Sequence, residues 1–99
     1  MPYAVYWAPT AKKSYVQILK HIQERWTEKE LIVFINRTEE VISHMSNNPL
    51  LYPYSQQHDV HKCVIMPQVS LFYRRKLDVV QLLLFWDNRR NPKKLNIKP

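Results

Sequence analysis

The chain has 99 residues, 45% of them hydrophobic, and a formal net charge of +7. This length predicts one small domain over residues 1–99, and the single cysteine, Cys63, excludes an intrachain disulfide and a multi-cysteine metal site. The longest apolar run, 82–86, is too short to cross a membrane, and residues 1–4 lack the features of a secretory signal. We therefore expect a cytoplasmic protein with no membrane partner.

The positive charge is confined to the second part of the chain. Residues 1–61 hold six Lys/Arg and six Asp/Glu, whereas residues 62–99 hold nine Lys/Arg and two Asp/Glu. The nine basic residues are Lys62, Arg74, Arg75, Lys76, Arg89, Arg90, Lys93, Lys94 and Lys98. Such an asymmetry indicates an acidic partner, which could be nucleic acid, an acidic protein segment or an anionic surface.

The chain begins with a predicted strand and helix. Residues 3–7, Tyr-Ala-Val-Tyr-Trp, are of strand-favouring types. Pro9 suits the first turn of a helix, where its missing N–H costs nothing. From Ala11 to Trp26, apolar residues recur at steps of three and four and make one stripe, which predicts an amphipathic helix.

A second helix follows after a short junction. Thr27 and Glu30 can form a capping box, in which each side chain accepts a hydrogen bond from the other residue's backbone N–H, so the helix begins at Glu28. Its apolar stripe continues to Met45, and the Asn-Asn-Pro sequence at 47–49 ends it. Because the junction is so short, we expect the two helices to form a hairpin.

The remaining chain predicts a loop, three strands and a tail. Residues 49–60 contain two prolines and many polar groups, which indicates a loop. Strands follow at 61–66, 69–76 and 79–86. The last strand is apolar on both faces of the pleat, which predicts an interior strand covered on both sides. Residues 88–99 form a polar, basic tail that we expect to be irregular.

The predicted order is β-αα-βββ, an α+β fold. The helical hairpin crosses over from the first strand and packs on one face of a small, mostly antiparallel sheet. The other face is expected to be open. The chain contains no glycine, which excludes the glycine-rich loops that bind phosphate groups and dinucleotides, so we expect no cofactor.

The element order and four short motifs resemble the RelE/ParE toxins, the toxic halves of bacterial type II toxin–antitoxin pairs. The motifs are Trp-Ala-Pro at 7–9, Asn-Pro with Tyr-Pro within 48–53, Leu-Phe-Tyr-Arg at 71–74, and the closing stretch 84–94. The closing stretch is the most specific of the four, since members often end with a strand, an Asp or His, an arginine and then Asn/Asp-Pro. The resemblance spans nearly the whole chain.

This resemblance implies a cytoplasmic toxin that a cognate acidic antitoxin wraps and neutralises. The family divides by target. RelE-like members cut mRNA on the ribosome, whereas ParE-like members bind DNA gyrase and are not hydrolases. The basic second half suits an acidic antitoxin segment, and it leaves both targets open.

An endoribonuclease of this family needs no metal, but it needs a base for the 2′-hydroxyl, cations for the developing charge and an acid for the leaving oxygen. The candidates for these roles are His61, Arg74 and Arg90. As polar residues at a loop–strand junction, His58 and His61 are also typical of a protein surface. His44 is typical of an exposed position on the second helix.

The candidates for binding the antitoxin or the target are cations and one aromatic residue. They are Lys62, Arg75, Trp86, Arg89, Lys93 and Lys94. Trp86 and Tyr73 are also typical of a protein core. Since Arg74 and Arg75 are adjacent in a strand, they point to opposite faces and cannot contribute equally to one site.

Two departures from the RelE pattern favour the ParE-like function. Ser70 stands where RelE-like ribonucleases carry an arginine, and the chain after Asp87 has no terminal Tyr or His. Arg90 or Arg89 does match the late arginine of the ribonucleases. The prediction is therefore a gyrase inhibitor, with a ribosome-dependent endoribonuclease as the alternative, and whether the chain is an enzyme stays open.

Overall fold

Two helices pack against a five-stranded sheet in the computed structural model, which describes residues 2–95 and 97. The elements are β1 (Ala4–Trp7), α1 (Pro9–Arg25), α2 (Glu28–Asn47), β2 (Tyr54–Ser55), β3 (Val60–Met66), β4 (Val69–Lys76), β5 (Val79–Asp87) and a 3₁₀ turn (Pro92–Lys94). The strand order is β1-β5-β4-β3-β2, in which only the β1–β5 pair is parallel. The predicted α+β architecture is confirmed.

The helical hairpin forms where the sequence predicts it. Thr27 Oγ1 accepts from the backbone N–H of Glu30 at 3.2 Å, and Glu30 Oε1 accepts from the N–H of Thr27 at 3.4 Å. This capping box satisfies two N–H groups that have no partner inside the helix. No helix in the described part of the chain is long and apolar enough to span a membrane.

The interior strand β5 is longer than its neighbour β1. The pairing of β1 ends where Trp7 lies opposite Leu82, and the chain then turns into α1. Beyond that point Ser14 of α1 takes the place of a neighbouring strand, because its Oγ accepts from the backbone N–H of Phe85 at 2.9 Å. Ser14 is buried, but because it is polar it does not belong to the apolar stripe that predicts which residues of α1 face the core.

The main core lies between the helices and the sheet. Its central buried residues are Ala11, Ile22, Phe34, Val41, Met45, Cys63, Ile65, Val69, Leu71, Tyr73, Val80, Leu82 and Phe85. Each large side chain of this kind stabilises the fold by roughly 1.5–3 kcal/mol through burial. Burial also raises the pKa of the Cys63 thiol to about 11, so the prediction of a small buried hydrophobe at this position is confirmed.

The opposite face of the sheet is not open throughout, contrary to the prediction. Phe72, Leu84 and Trp86 are buried there, and Leu95 and Ile97 of the tail pack against them. The tail also forms a 3₁₀ turn over Pro92–Lys94, so it is not irregular along its whole length. The tail is mostly polar in sequence, so the contribution of its two apolar residues to this face was not predicted. Residues 96, 98 and 99 of the predicted tail lie outside the described residues.

The predicted loop 49–60 contains the short strand β2. Tyr54 pairs with His61 and Ser55 with Val60, and the intervening turn ends at Asp59, which has a positive φ of 53°. A two-residue strand is too short to produce a periodic pattern, so composition indicated only a loop. It pairs with β3 and forms one edge of the sheet.

Candidate functional site

The residues predicted for catalysis do not meet at one place. Arg74 lies opposite Gln81 on β5, whereas Arg90 follows Asp87 at the far end of that strand. Asp87 lies six positions after Gln81, which is roughly 20 Å of strand. His61 lies at the Arg74 end of the sheet. The predicted grouping of His61, Arg74 and Arg90 is therefore divided between two sites.

The first site is a groove between α1 and the end of β5, here called the terminal groove. It exists because β1 stops before β5 does. Its volume is about 430 Å³. Apolar residues that include Ile18, Trp26 and Phe85 form its floor. The polar and charged lining residues are Thr10, Lys13, Ser14, Gln17, His21, Gln68, Asp87, Arg89 and Arg90.

Trp86 and Arg90 form one wall of the terminal groove. The Arg90 guanidinium carbon lies 4.8 Å from the centroid of the Trp86 ring, a cation–π contact worth about 0.5–1 kcal/mol at an exposed site. Trp86 is only 7% exposed, so it belongs to the core, as its apolar surroundings predicted. A ligand that stacked on this ring would first have to displace Arg90.

Arg89 connects the end of β5 to α1. Its Nε and Nη2 donate to the Asp87 carboxylate, each at 3.0 Å, and this guanidinium lowers the pKa of Asp87. Arg89 Nη2 also lies 3.1 Å from His21 Nε2, and since a guanidinium can only donate, the imidazole nitrogen is the acceptor in this contact. Sequence reasoning missed His21, because a single helical histidine belongs to no motif. Its position beside the apolar stripe of α1 was the only signal.

Ser70 is completely buried beneath the start of the tail. Its Oγ donates to Asn88 Oδ1 at 2.9 Å, and Asn88 in turn donates to the carbonyls of Pro67 and Gln68. The position at which the family resemblance implied an arginine is thus occupied by a small hydroxyl that fastens the tail. It presents no cation to the terminal groove.

The other predicted binding residues are exposed cations. Lys62 lies on the face of the sheet that carries Phe72, and Lys93 and Lys94 lie in the 3₁₀ turn. Within residues 2–95, none of these three lysines forms a salt bridge. Lys98 lies outside the described residues.

The second site is a cleft at the opposite end of the sheet, here called the His61 cleft. It is lined by Leu50, Leu51, Tyr52, Pro53, Tyr54, Asp59, His61, Arg74 and Arg75. His61 is only 7% exposed, so its interpretation as a surface residue is wrong. Its Nδ1 lies 2.9 Å from the carbonyl of Tyr52, and its ring stacks on Tyr73 at a centroid distance of 5.0 Å. The loop before β2 encloses it, which composition could not reveal.

The two adjacent arginines of the His61 cleft have different partners. Arg74 Nε donates to the backbone carbonyl of Asp59 at 3.1 Å, and it lies 3.8 Å from the Asp59 carboxylate. Arg75 Nη1 lies 3.5 Å from the Tyr3 hydroxyl. This divergence agrees with the expectation that neighbours in a strand point to opposite faces.

Comparison with solved structures identifies the fold. A chain of the chromosomal ParDE TA system from P. aeruginosa matches 86% of this chain and 95% of its own length, with a TM-score of 0.71 and 14% identity. The fold is that of the RelE/ParE toxins. YafQ from E. coli matches with a TM-score of 0.59 at 14% identity, over 87% of this chain and 93% of its own. A copper-bound mutant toxin from Helicobacter pylori matches with 0.58 at 18% identity, over 87% and 94%.

Sequence comparison adds nothing to this result. No family model matches the chain, and no curated protein matches it by sequence. The RelE/ParE fold therefore rests on the order and pairing of the elements, of which the sequence predicted the order. It does not distinguish ParE-like from RelE-like function, because ParDE and YafQ chains both match.

Proposed function

We propose that this chain is the toxin of a type II toxin–antitoxin module. It shares its fold with the ParDE and YafQ chains, and YafQ is also known in a DinJ-YafQ toxin-antitoxin complex. The excess of positive charge after residue 61 supports the same proposal, because it provides a surface for an acidic partner.

The antitoxin is proposed to dock at the terminal groove. This groove combines an apolar floor with cations at its rim, Lys13, Arg89 and Arg90. An amphipathic acidic segment would place apolar side chains on the floor and carboxylates against the rim. Such binding weakens as salt rises, because the rim charges are exposed and screened.

The proposed target is DNA gyrase, inhibited without a hydrolytic step. The observation that carries this choice is the separation of His61 and Arg74 from Arg90 along β5, which leaves the predicted acid–base and cationic groups apart. The burial of Ser70 beneath Asn88 supports it further. A surface without an assembled set of these groups is better suited to binding than to cleavage.

A supercoiling assay tests the gyrase proposal. Purified toxin is expected to block the introduction of supercoils by gyrase, and prior addition of the antitoxin is expected to restore it. Arg90→Ala should weaken inhibition, whereas Arg25→Ala removes an equal charge at the end of α1 and should not. Unimpaired supercoiling at a large excess of toxin would refute this target.

A ribosome-dependent endoribonuclease is the second candidate. One observation favours it, namely that His21, Arg89 and Arg90 share the terminal groove, with His21 Nε2 3.1 Å from Arg89. Primer extension on translated mRNA should then show new cleavage sites that disappear with His21→Ala. The exposed helix residue His44 provides the control, since His44→Ala should leave any cleavage unchanged.

A further inference from the structure

The His61 cleft contains a fixed hydrogen-bond acceptor. A carbonyl oxygen can only accept, so the 2.9 Å contact with Tyr52 requires a proton on His61 Nδ1. The lone pair of the neutral ring is then on Nε2, which has no hydrogen-bond partner within the described chain. The ring cannot easily turn away, because it stacks on the buried Tyr73, whose hydroxyl donates to the Pro49 carbonyl at 2.6 Å.

Two arginines give the cleft a positive charge. Arg75 is exposed, and the only hydrogen bond of its side chain to a described residue is the long one to the Tyr3 hydroxyl. Arg74 uses Nε for the Asp59 carbonyl, which leaves its terminal nitrogens for another acceptor. Asp59 is the one acid among the lining residues, and it is already engaged by Arg74 and by the Tyr54 hydroxyl. The cleft therefore suits an anion.

The outer wall of the cleft is aromatic and apolar. Leu50, Leu51 and Tyr54 are 68%, 52% and 52% exposed, which is unusually high for side chains of this type. The aromatic ring of Tyr54 can stack on the face of a nucleobase, which contributes about 1–3 kcal/mol per base, and the two leucines can extend the apolar contact. An acceptor, an anion site and a stacking wall are thus brought together within nine lining residues.

We propose that the His61 cleft binds a ribonucleotide. Arg75 would be the main contact of its phosphate, a ribose hydroxyl would donate to His61 Nε2, and the base would lie against Tyr54. The cleft volume of about 680 Å³ is within the range of roughly 300–1,000 Å³ that is usual for small-ligand sites. The ligand is either a free nucleotide or the end of an RNA strand. The assignment involves binding alone, and it does not depend on whether the toxin acts on gyrase or on mRNA.

Titration of the ¹⁵N-labelled protein tests this proposal. Adenosine monophosphate should shift the backbone amides of residues 50–52, 54 and 61, whereas inorganic phosphate should shift mainly that of Arg75. The 2′,3′-dideoxy analogue, which has no ribose hydroxyl, should bind more weakly. A short single-stranded RNA that competes with the nucleotide for the same residues would identify a strand end as the source, and absence of competition would identify a free nucleotide.

Three variants locate the contacts. Arg75→Ala should weaken nucleotide binding about tenfold or more, which is the usual effect of losing a hydrogen bond to a charged group. Arg25→Ala, which also removes an exposed arginine, should leave the affinity unchanged. His61→Asn can retain the donor to the Tyr52 carbonyl but loses Nε2, so it should bind the nucleotide only as tightly as wild type binds the dideoxy analogue.

Other outcomes would overturn the assignment. Shifts confined to residues 89–95 would mean that the nucleotide binds the basic tail. Equal affinities of Arg75→Ala and Arg25→Ala would show that the cleft cations make no contact. Binding of an acidic peptide, but not of the nucleotide, at residues 50–54 would identify a protein-docking site instead. If His61→Asn fails to fold, binding of the dideoxy analogue and binding by Arg75→Ala still test the proposal. None of these results depends on whether the toxin inhibits supercoiling.

Discussion

Leu77 is the most exposed large apolar residue of the described chain and also one of its two residues with positive φ. It is 86% exposed, has a φ of 55°, and begins the two-residue turn between β4 and β5. A left-handed conformation costs a residue with a Cβ about 1–2 kcal/mol, which is why glycine is usual at the first position of such a turn. A chain without glycine has to accept this cost.

Leu77→Gly is therefore expected to stabilise the fold. The net gain should be roughly 0.5–1 kcal/mol, because the greater freedom of glycine in the unfolded chain offsets part of the relief. Urea unfolding measures it. Asp78→Gly in the same turn is the control, and it should give no gain, since Asp78 has no positive φ to relieve. A loss of stability in Leu77→Gly would show that the leucine side chain contributes to the fold.

Single residues were predictable where a local rule applies to them. The capping box of Thr27 and Glu30 and the burial of Cys63 follow from spacing and apolar surroundings. His61 and Ser14 were misjudged or missed, because their burial depends on a loop and a helix that are distant in sequence. A polar side chain that bonds to a distant backbone group has no periodic signature.

Ser14 links α1 to the part of β5 that extends beyond the end of β1. Ser14→Ala removes the acceptor for the Phe85 N–H and leaves a buried donor without a partner. The expected loss of unfolding free energy is about 1–3 kcal/mol. Ser43→Ala, at an exposed position of α2, should change it by less than about 0.5 kcal/mol. Equal effects in thermal or urea unfolding would show that water satisfies the Phe85 N–H.

The elements themselves were largely predictable, because their patterns are long. Each helix shows one apolar stripe, and β5 is apolar on both faces because it is an interior strand covered on both sides. The short strand β2 was not predictable, since two residues carry no period. The register of strand pairing also could not be predicted from the sequence. This register places Arg74 opposite Gln81, near the start of β5, whereas Arg90 follows the end of that strand. The sequence thus could not show which of the predicted cations lie near one another.

At the scale of the whole molecule, the tail is fastened to the body at the end of β5. Asp87 accepts from Arg89, and Arg89 reaches His21 on α1. The guanidinium lowers the pKa of Asp87 below its ordinary value of 3.8. A carboxyl whose pKa is lowered on folding stabilises the fold above its unfolded pKa, and this contribution disappears as the pH falls through the lower, folded pKa.

Asp87→Asn should therefore be less stable than wild type near neutral pH. The difference in unfolding free energy should shrink as the pH falls below about 3.8, the ordinary value, because the wild-type carboxyl becomes protonated. Urea unfolding from pH 6 to pH 2 measures it. Asp78→Asn in the exposed turn is the control, with a smaller difference expected. A difference for Asp87→Asn that stays constant with pH would contradict the ion pair.

The arrangement of the basic residues in space could not be read from composition. Of the basic residues after position 61, Arg89 and Arg90 line the terminal groove and Arg74 and Arg75 line the His61 cleft, so the fold separates them into two sites of different shape. The apolar tail residues Leu95 and Ile97 pack on the sheet face that carries Phe72, Leu84 and Trp86. Charge counting predicts one acidic partner, whereas the structure places these arginines in two separate sites.

The measurement that tests the central proposal most directly is growth of a bacterial host after induction of this chain alone and together with its antitoxin. The antitoxin should be encoded in the neighbouring reading frame as a small protein with an acidic segment. The toxin assignment predicts arrested growth on induction alone and normal growth when both proteins are produced. Equal growth under the two conditions, with the chain present at comparable levels, would contradict it.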